Sequence, residues 1–130
     1  MFLLLALACT LSSADPTTLE GTWQVDEMEF DSGDIEDIAG SDWSGEVEIR
    51  ATGVGSLTVT GEDTDLDITL ETEDDGDGVW HMGGNSDGLY ILDMHCMVAE
   101  GLADCVDSGE IDWSDEDSDV HVTLLSLSAE

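Results

Sequence analysis

The sequence predicts an all-β domain, an antiparallel barrel of about eight strands after a short N-terminal signal and tether. Three observations predict the strands and their closure. From Leu19 onward, apolar residues alternate with polar ones at period two rather than 3.6. Glycines and acidic clusters interrupt the alternation at short intervals, which is turn chemistry. The hydrophobic fraction, 41% of 130 residues, supplies one packed core and leaves no room for a second. A β-sandwich is the alternative architecture. The barrel is preferred because each strand has one apolar and one acidic face, and closure removes the exposed edges.

The segments follow in order. "LEGTWQVDE" puts Leu19, Gly21, Trp23 and Val25 on one face. "SGDIEDIAG" suits one short helical turn, with Ile35 and Ile38 on the same side and Gly40 ending it. "GEVEIRA" turns Val47 and Ile49 one way and Glu46, Glu48 and Arg50 the other. "GSLTVTG" and "DLDITLET" alternate Leu57, Val59, Leu66, Ile68 and Leu70 with threonine and acid. "GVWHMGG" is a short apolar segment, and "GLYILDMHC" is apolar on both faces in its first half. "MVAEGLADC" suits a second helical turn. "GEIDWSD" alternates Ile111 and Trp113 with acids, and "DVHVTLLSLSAE" closes the chain with Val120, Val122 and Leu124, placing His121 toward solvent.

Charge excludes several partners. There are 33 Asp plus Glu against a single basic residue, Arg50, for a formal net charge of -32. Such a surface repels nucleic-acid phosphates and anionic headgroups and attracts cations and basic polypeptides. The acidic turn "TEDDGDG" offers Asp74, Asp75 and Asp77 as oxygen ligands for weak calcium binding; an ordinary hairpin turn is the alternative. Asp63, Asp65 and Asp67 lack the spacing of an EF-hand and read as one solvated strand face, and "DWSDEDSD" reads like the acidic turn. No G-x-S-x-G frame and no glycine-rich loop before a helix is present, so no enzymatic activity or cofactor is expected.

The opening residues carry an address. Phe2 to Ala8 is an unbroken apolar run, too short to cross a bilayer but long enough for the core of an export signal. Ala6-Leu7-Ala8-Cys9 resembles the lipobox of bacterial lipoproteins. That resemblance implies that residues 1–8 are a signal peptide, removed on export, and that Cys9 is acylated with palmitate-type chains. Residues 9–18 would then be the lipidated cysteine and its tether, and 19–130 the β domain. Thr10 after the cysteine is similar to the pattern of outer-membrane sorting in Gram-negative cells. The membrane, reached through the lipid, is the partner this implies, and the oligomeric state is left open. With Cys9 acylated, Cys96 and Cys105 remain as an even pair, able to bridge in an oxidising compartment.

Gly21-Thr22-Trp23 resembles the G-x-W element of lipocalins and bacterial lipocalin-like lipoproteins. The family's barrel has the Trp as a plug at its closed end and the Gly as room for the passing chain. The resemblance implies a small apolar ligand held in the barrel. Trp23, Trp43, Trp80, Trp113, Tyr90 and the methionines would line such a cavity, or simply fill a small core. A filled barrel with an acidic, weakly cation-binding outer face, acting as a structural or interaction protein, is the competing reading.

The charge itself generates a prediction. Carboxylates held close in the folded state repel, and unfolding spreads them. Sodium chloride should therefore raise the melting temperature, most steeply as the screening length falls from about 30 Å at 0.01 M to about 10 Å at 0.1 M. A melting temperature flat in salt would show that self-repulsion is not a significant term.

Overall fold

The alternating segments pair edge to edge until the sheet meets itself. In the computed structural model, which describes residues 18–31, 33–62, 64–115 and 120–130, the strands are β1 (Gly21–Phe30), β2 (Gly33–Asp34), β3 (Ser44–Ile49), β4 (Val54–Thr60), β5 (Asp65–Gly76), β6 (Val79–Ser86), β7 (Leu89–Ala99), β8 (Leu102–Asp107) and β9 (Val122–Ala129). Each strand pairs antiparallel with the next around the sheet, and β9 pairs with β1. Among the described residues this makes a closed eight-stranded up-and-down barrel. The two-residue β2 is an extra strand on the far end of β1. The barrel, not the sandwich, is the architecture.

Two hairpins at one end, and one at the other, turn in two residues. Asp77-Gly78, Glu100-Gly101 and Asp87-Gly88 all have positive φ, from 53° to 83°, which matches the twist of antiparallel strands. The tight-turn end also carries the start of β1 and the end of β9. The opposite end carries helix α1 (Ile35–Ala39), as expected for "SGDIEDIAG". That helix is strapped to the β4–β5 loop: Glu62 N–H donates to Ala39 O at 2.8 Å, and Thr64 Oγ1 donates to Ile38 O at 2.7 Å.

The expected strand count holds, but two assignments are corrected. "GEIDWSD" is a loop with a 3₁₀ turn at Trp113–Asp115. Its short polar side chains bind local backbone instead of a ladder: Asp107 accepts from Gly109 N–H, Ser108 from Glu110 N–H, and Asp112 from Ser114 N–H. "MVAEGLADC" is not helical but the end of β7, a turn and most of β8. Glu100-Gly101 reverses the chain so tightly that Ala99 faces Leu102.

The inward rows are apolar throughout. Trp23, Val47, Leu57, Ile68, Met82, Met94, Ala103 and Leu125 come from β1 and β3–β9 in turn, and all are buried. At the seam the parity breaks twice. Inward residues pass from Val25 to Met28 on β1, and from Val122 to Leu125 on β9, so Leu124 is half-buried rather than inward. Each strand carries one extra residue there, Asp26 and Thr123 respectively, so the two bulges offset each other in register.

Trp23 sits near the tight-turn end, 4% exposed, and its indole N–H donates to Leu19 O at 2.8 Å. Leu19, just before β1, is fully buried. Glu130 N–H donates to Thr22 O, bringing the last described residue beside the first strand. Trp23→Ala should therefore cost about 3–5 kcal/mol in urea unfolding. A loss within about 0.5 kcal/mol, the size of a surface change, would rule out a plugging role.

Candidate functional site

The first candidate is the barrel interior. Buried apolar side chains from every long strand fill it, and Met28, Met82 and Met94 are among them. The aromatic residues do not ring a cavity. Trp23 is buried and Trp43 and Trp80 pack partly against the core, but Trp113 lies in the loop after β8 and Tyr90 is exposed. Gly84 reports the local fit. It faces inward on β6, and a Cβ there would stand 2.9 Å from Ile68 Cγ2 and from Leu92 Cγ. Depressions of about 650 Å³ beside α1 and Trp43, and about 300 Å³ over β5–β7, lie along the outer surface.

The second candidate was not foreseen from sequence. Each of the three histidines, spread over 40 residues of chain, meets a carboxylate, and they form two groups: His81 with His95 on β6 and β7, and His121 beside the loop after β8. His81 and His95 are directly opposite each other across β6 and β7, ring centroids 5.7 Å apart and edge to face. His81 Nε2 lies 3.0 Å from Asp93 Oδ1, which also accepts from Ser108 Oγ at 2.5 Å. His95 Nε2 lies 3.3 Å from Glu110 Oε2. His121, expected toward solvent, is instead stacked on Trp113 at 3.8 Å with its side chain 13% exposed. Asp107 Oδ1 ties that stack down, 3.1 Å from Trp113 Nε1 and 3.2 Å from His121 Nε2. Trp113, on the loop after β8, lies against the imidazole and shields it from solvent. Ser108 gives its proton to a carboxylate rather than to an imidazole, so this arrangement lacks the nucleophile–base pair of acyl-transfer sites.

The residues singled out from sequence are placed as follows. Cys96 and Cys105 form a disulfide between directly opposite, inward positions of β7 and β8, with Cα atoms 3.9 Å apart. Gly21 opens β1 at φ 132°, with no atom near the place of a Cβ, and Trp23 follows it. Asp74, Asp75 and Asp77 are exposed on the β5–β6 hairpin, where Asp74 Oδ1 accepts from Gly76 N–H at 2.8 Å. Asp65 and Asp67 face outward on β5, and Asp63 lies outside the described residues. Among the described residues no group of three or more His, Cys, Asp or Glu converges to hold a metal. Cys9 and most of the expected tether also lie outside the described residues.

Two carboxyls depart from their ordinary range. Hydrogen bonds from the Ser114 side chain and backbone hold Asp112 below it. A hydrogen bond shared with Glu46 pushes Glu130 above it. Both are fully exposed.

No family model matches the chain, and no characterised protein or solved structure matches it either.

The packing around Gly84 separates a filled barrel from an open one. In a strand, Val is normally preferred to Gly. Here Gly84→Val should instead destabilise by about 1–3 kcal/mol in urea unfolding, because the added methyls overpack Ile68, Leu70 and Leu92. A neutral or stabilising effect would mean that space is open inside the wall.

Proposed function

We propose that this is a lipid-anchored cell-envelope protein whose barrel works as a solid support for its outer surface, a non-enzymatic interaction protein rather than a container. The single observation that carries this reading is the interior lined by buried apolar side chains, close enough at Gly84 that a Cβ would force Ile68 or Leu92 to shift. A small apolar ligand, which the lipocalin-like resemblance implies, would compete there with the protein's own side chains. The outer faces of β1, β3 and β5 support the surface role. They carry Glu27, Glu29, Glu46, Glu48, Asp67 and Glu71, all exposed and outward. Cations and basic polypeptides are the partners that such a surface attracts.

The anchor is the acylated Cys9 implied by the lipobox-like Ala6-Leu7-Ala8-Cys9. Two or more acyl chains give stable attachment without help from basic residues, and this chain has only Arg50.

Cys9→Ser should move the protein from the membrane fraction to the soluble fraction of the expressing cell and leave residues 1–8 attached, read by fractionation and intact mass. Membrane attachment unchanged in that variant would overturn the anchor.

A further inference from the structure

The barrel has two unlike walls. β1, β3 and β5 are acidic outside, whereas the outward rows of β6–β9 are nearly free of carboxylates. Those rows carry Val79, Met97, Ala99, Leu102, Val106 and Leu124. Met97 is 67% exposed, Leu102 54% and Val106 53%. Val79 is opposite Met97, Ala99 opposite Leu102, and Val106 opposite Leu124, so the apolar positions adjoin across the ladders. Asp93, the half-buried acid of the wall, is held in place by hydrogen bonds with Ser108 and His81. In a chain of net charge -32, a wall whose described outward rows hold only two carboxylates, Asp93 and Asp104, beside several exposed apolar side chains marks a contact surface.

We infer that this wall rests on a lipid surface, with Met97 and Leu102 entering the interface. The inference rests on the proposed acylation of Cys9. Leu102 pairs with Ser128, which pairs with Gln24 near the start of β1. Leu102 therefore sits at the end of the barrel where the chain arrives from Cys9, about 10 Å around the wall, two strand spacings, and Met97 lies one strand further. The nine residues from Thr10 to Thr18 span at most about 30 Å, enough to lay that wall on the bilayer but not to carry the barrel far from it. Tethering raises the local concentration of lipid, so a small apolar patch suffices. Charge selects the lipid. The acidic remainder repels anionic headgroups, while Asp104, exposed opposite Met97, suits the ammonium of a zwitterionic headgroup. A second copy is a poorer occupant, because two chains of this charge repel.

Met97 is a built-in reporter. Met28, Met82 and Met94 are each no more than 1% exposed and serve as internal references. Full-length protein purified from membranes is placed on phosphatidylcholine vesicles and treated with a water-soluble methionine oxidant, beside the soluble Cys9→Ser protein. Sulfoxide at each methionine is read by mass spectrometry. Met97 should oxidise several-fold more slowly on vesicles than in the soluble variant. In Leu102→Glu/Val106→Glu, which changes only exposed outward positions, Met97 should oxidise at the soluble rate while the protein stays on the vesicles. An acylated, vesicle-bound protein whose Met97 oxidises at the soluble rate overturns the wall contact and leaves the anchor standing. A protein found without acyl chains and free of membrane overturns both. Protection of Met97 in the soluble variant that grows with protein concentration, with a doubled mass, overturns the lipid contact in favour of self-association.

Discussion

The pairing of β9 with β1 is the interaction on which the rest of the structure depends. An open sheet of eight strands would expose two edges and leave its apolar face half covered. Closure pairs those edges and converts every inward row into one core. It requires the first and last strands to agree in register, and the bulges at Asp26 and Thr123 make that agreement possible. Each adds a residue to its own strand, so inward parity is lost and regained on both sides of the seam. Met28 and Leu125 can then both face the core.

Closure also dictates where charge can go. With the interior apolar and small, the carboxylates are confined to the outer rows, turns and loops. They are not spread evenly. The β1–β5 side keeps most of those on strands, and β6–β9 keep His81, His95, Met97, Leu102 and Val106 in their place. The one disulfide also lies under that less charged side, linking β7 to β8 from within. Cross-linking a loop of ten residues removes about 2.7 kcal/mol of chain entropy from the unfolded state. The wall with fewer outward acids is thus also the one held covalently.

At the end opposite the tight turns, the loop after β8 does the covering. Trp113 stacks on His121, and Asp107 accepts from both. Ser108 extends the connection to Asp93 and through it to His81. Adjacent residues, Asp107 and Ser108, therefore join two histidine groups that belong to different strands. This network holds the loop against the barrel with polar contacts, where the rest of the fold relies on apolar packing.

Much of the architecture was determined by the sequence alone. Alternation identified the inward residues of β3, β4 and β5, glycine and acid marked the turns, and the helical turn at Ile35 was visible from its spacing. The even pair left beside Cys9 pointed to the Cys96–Cys105 bond. Alternation failed at β8, where Ala103 and Cys105 are small and a two-residue turn at Glu100-Gly101 gives no apolar signal, and at "GEIDWSD", where alternation is real but Asp107, Ser108 and Asp112 hold the backbone locally. What only the tertiary structure decided was adjacency: the pairing of His81, His95 and His121 each with its own acid, the fit around Gly84, and the division of the outer surface into two walls. The reason is physical. A period of two reports which way a side chain points relative to its own backbone, whereas neighbours across a barrel are chosen by register and closure, which join residues far apart in the chain.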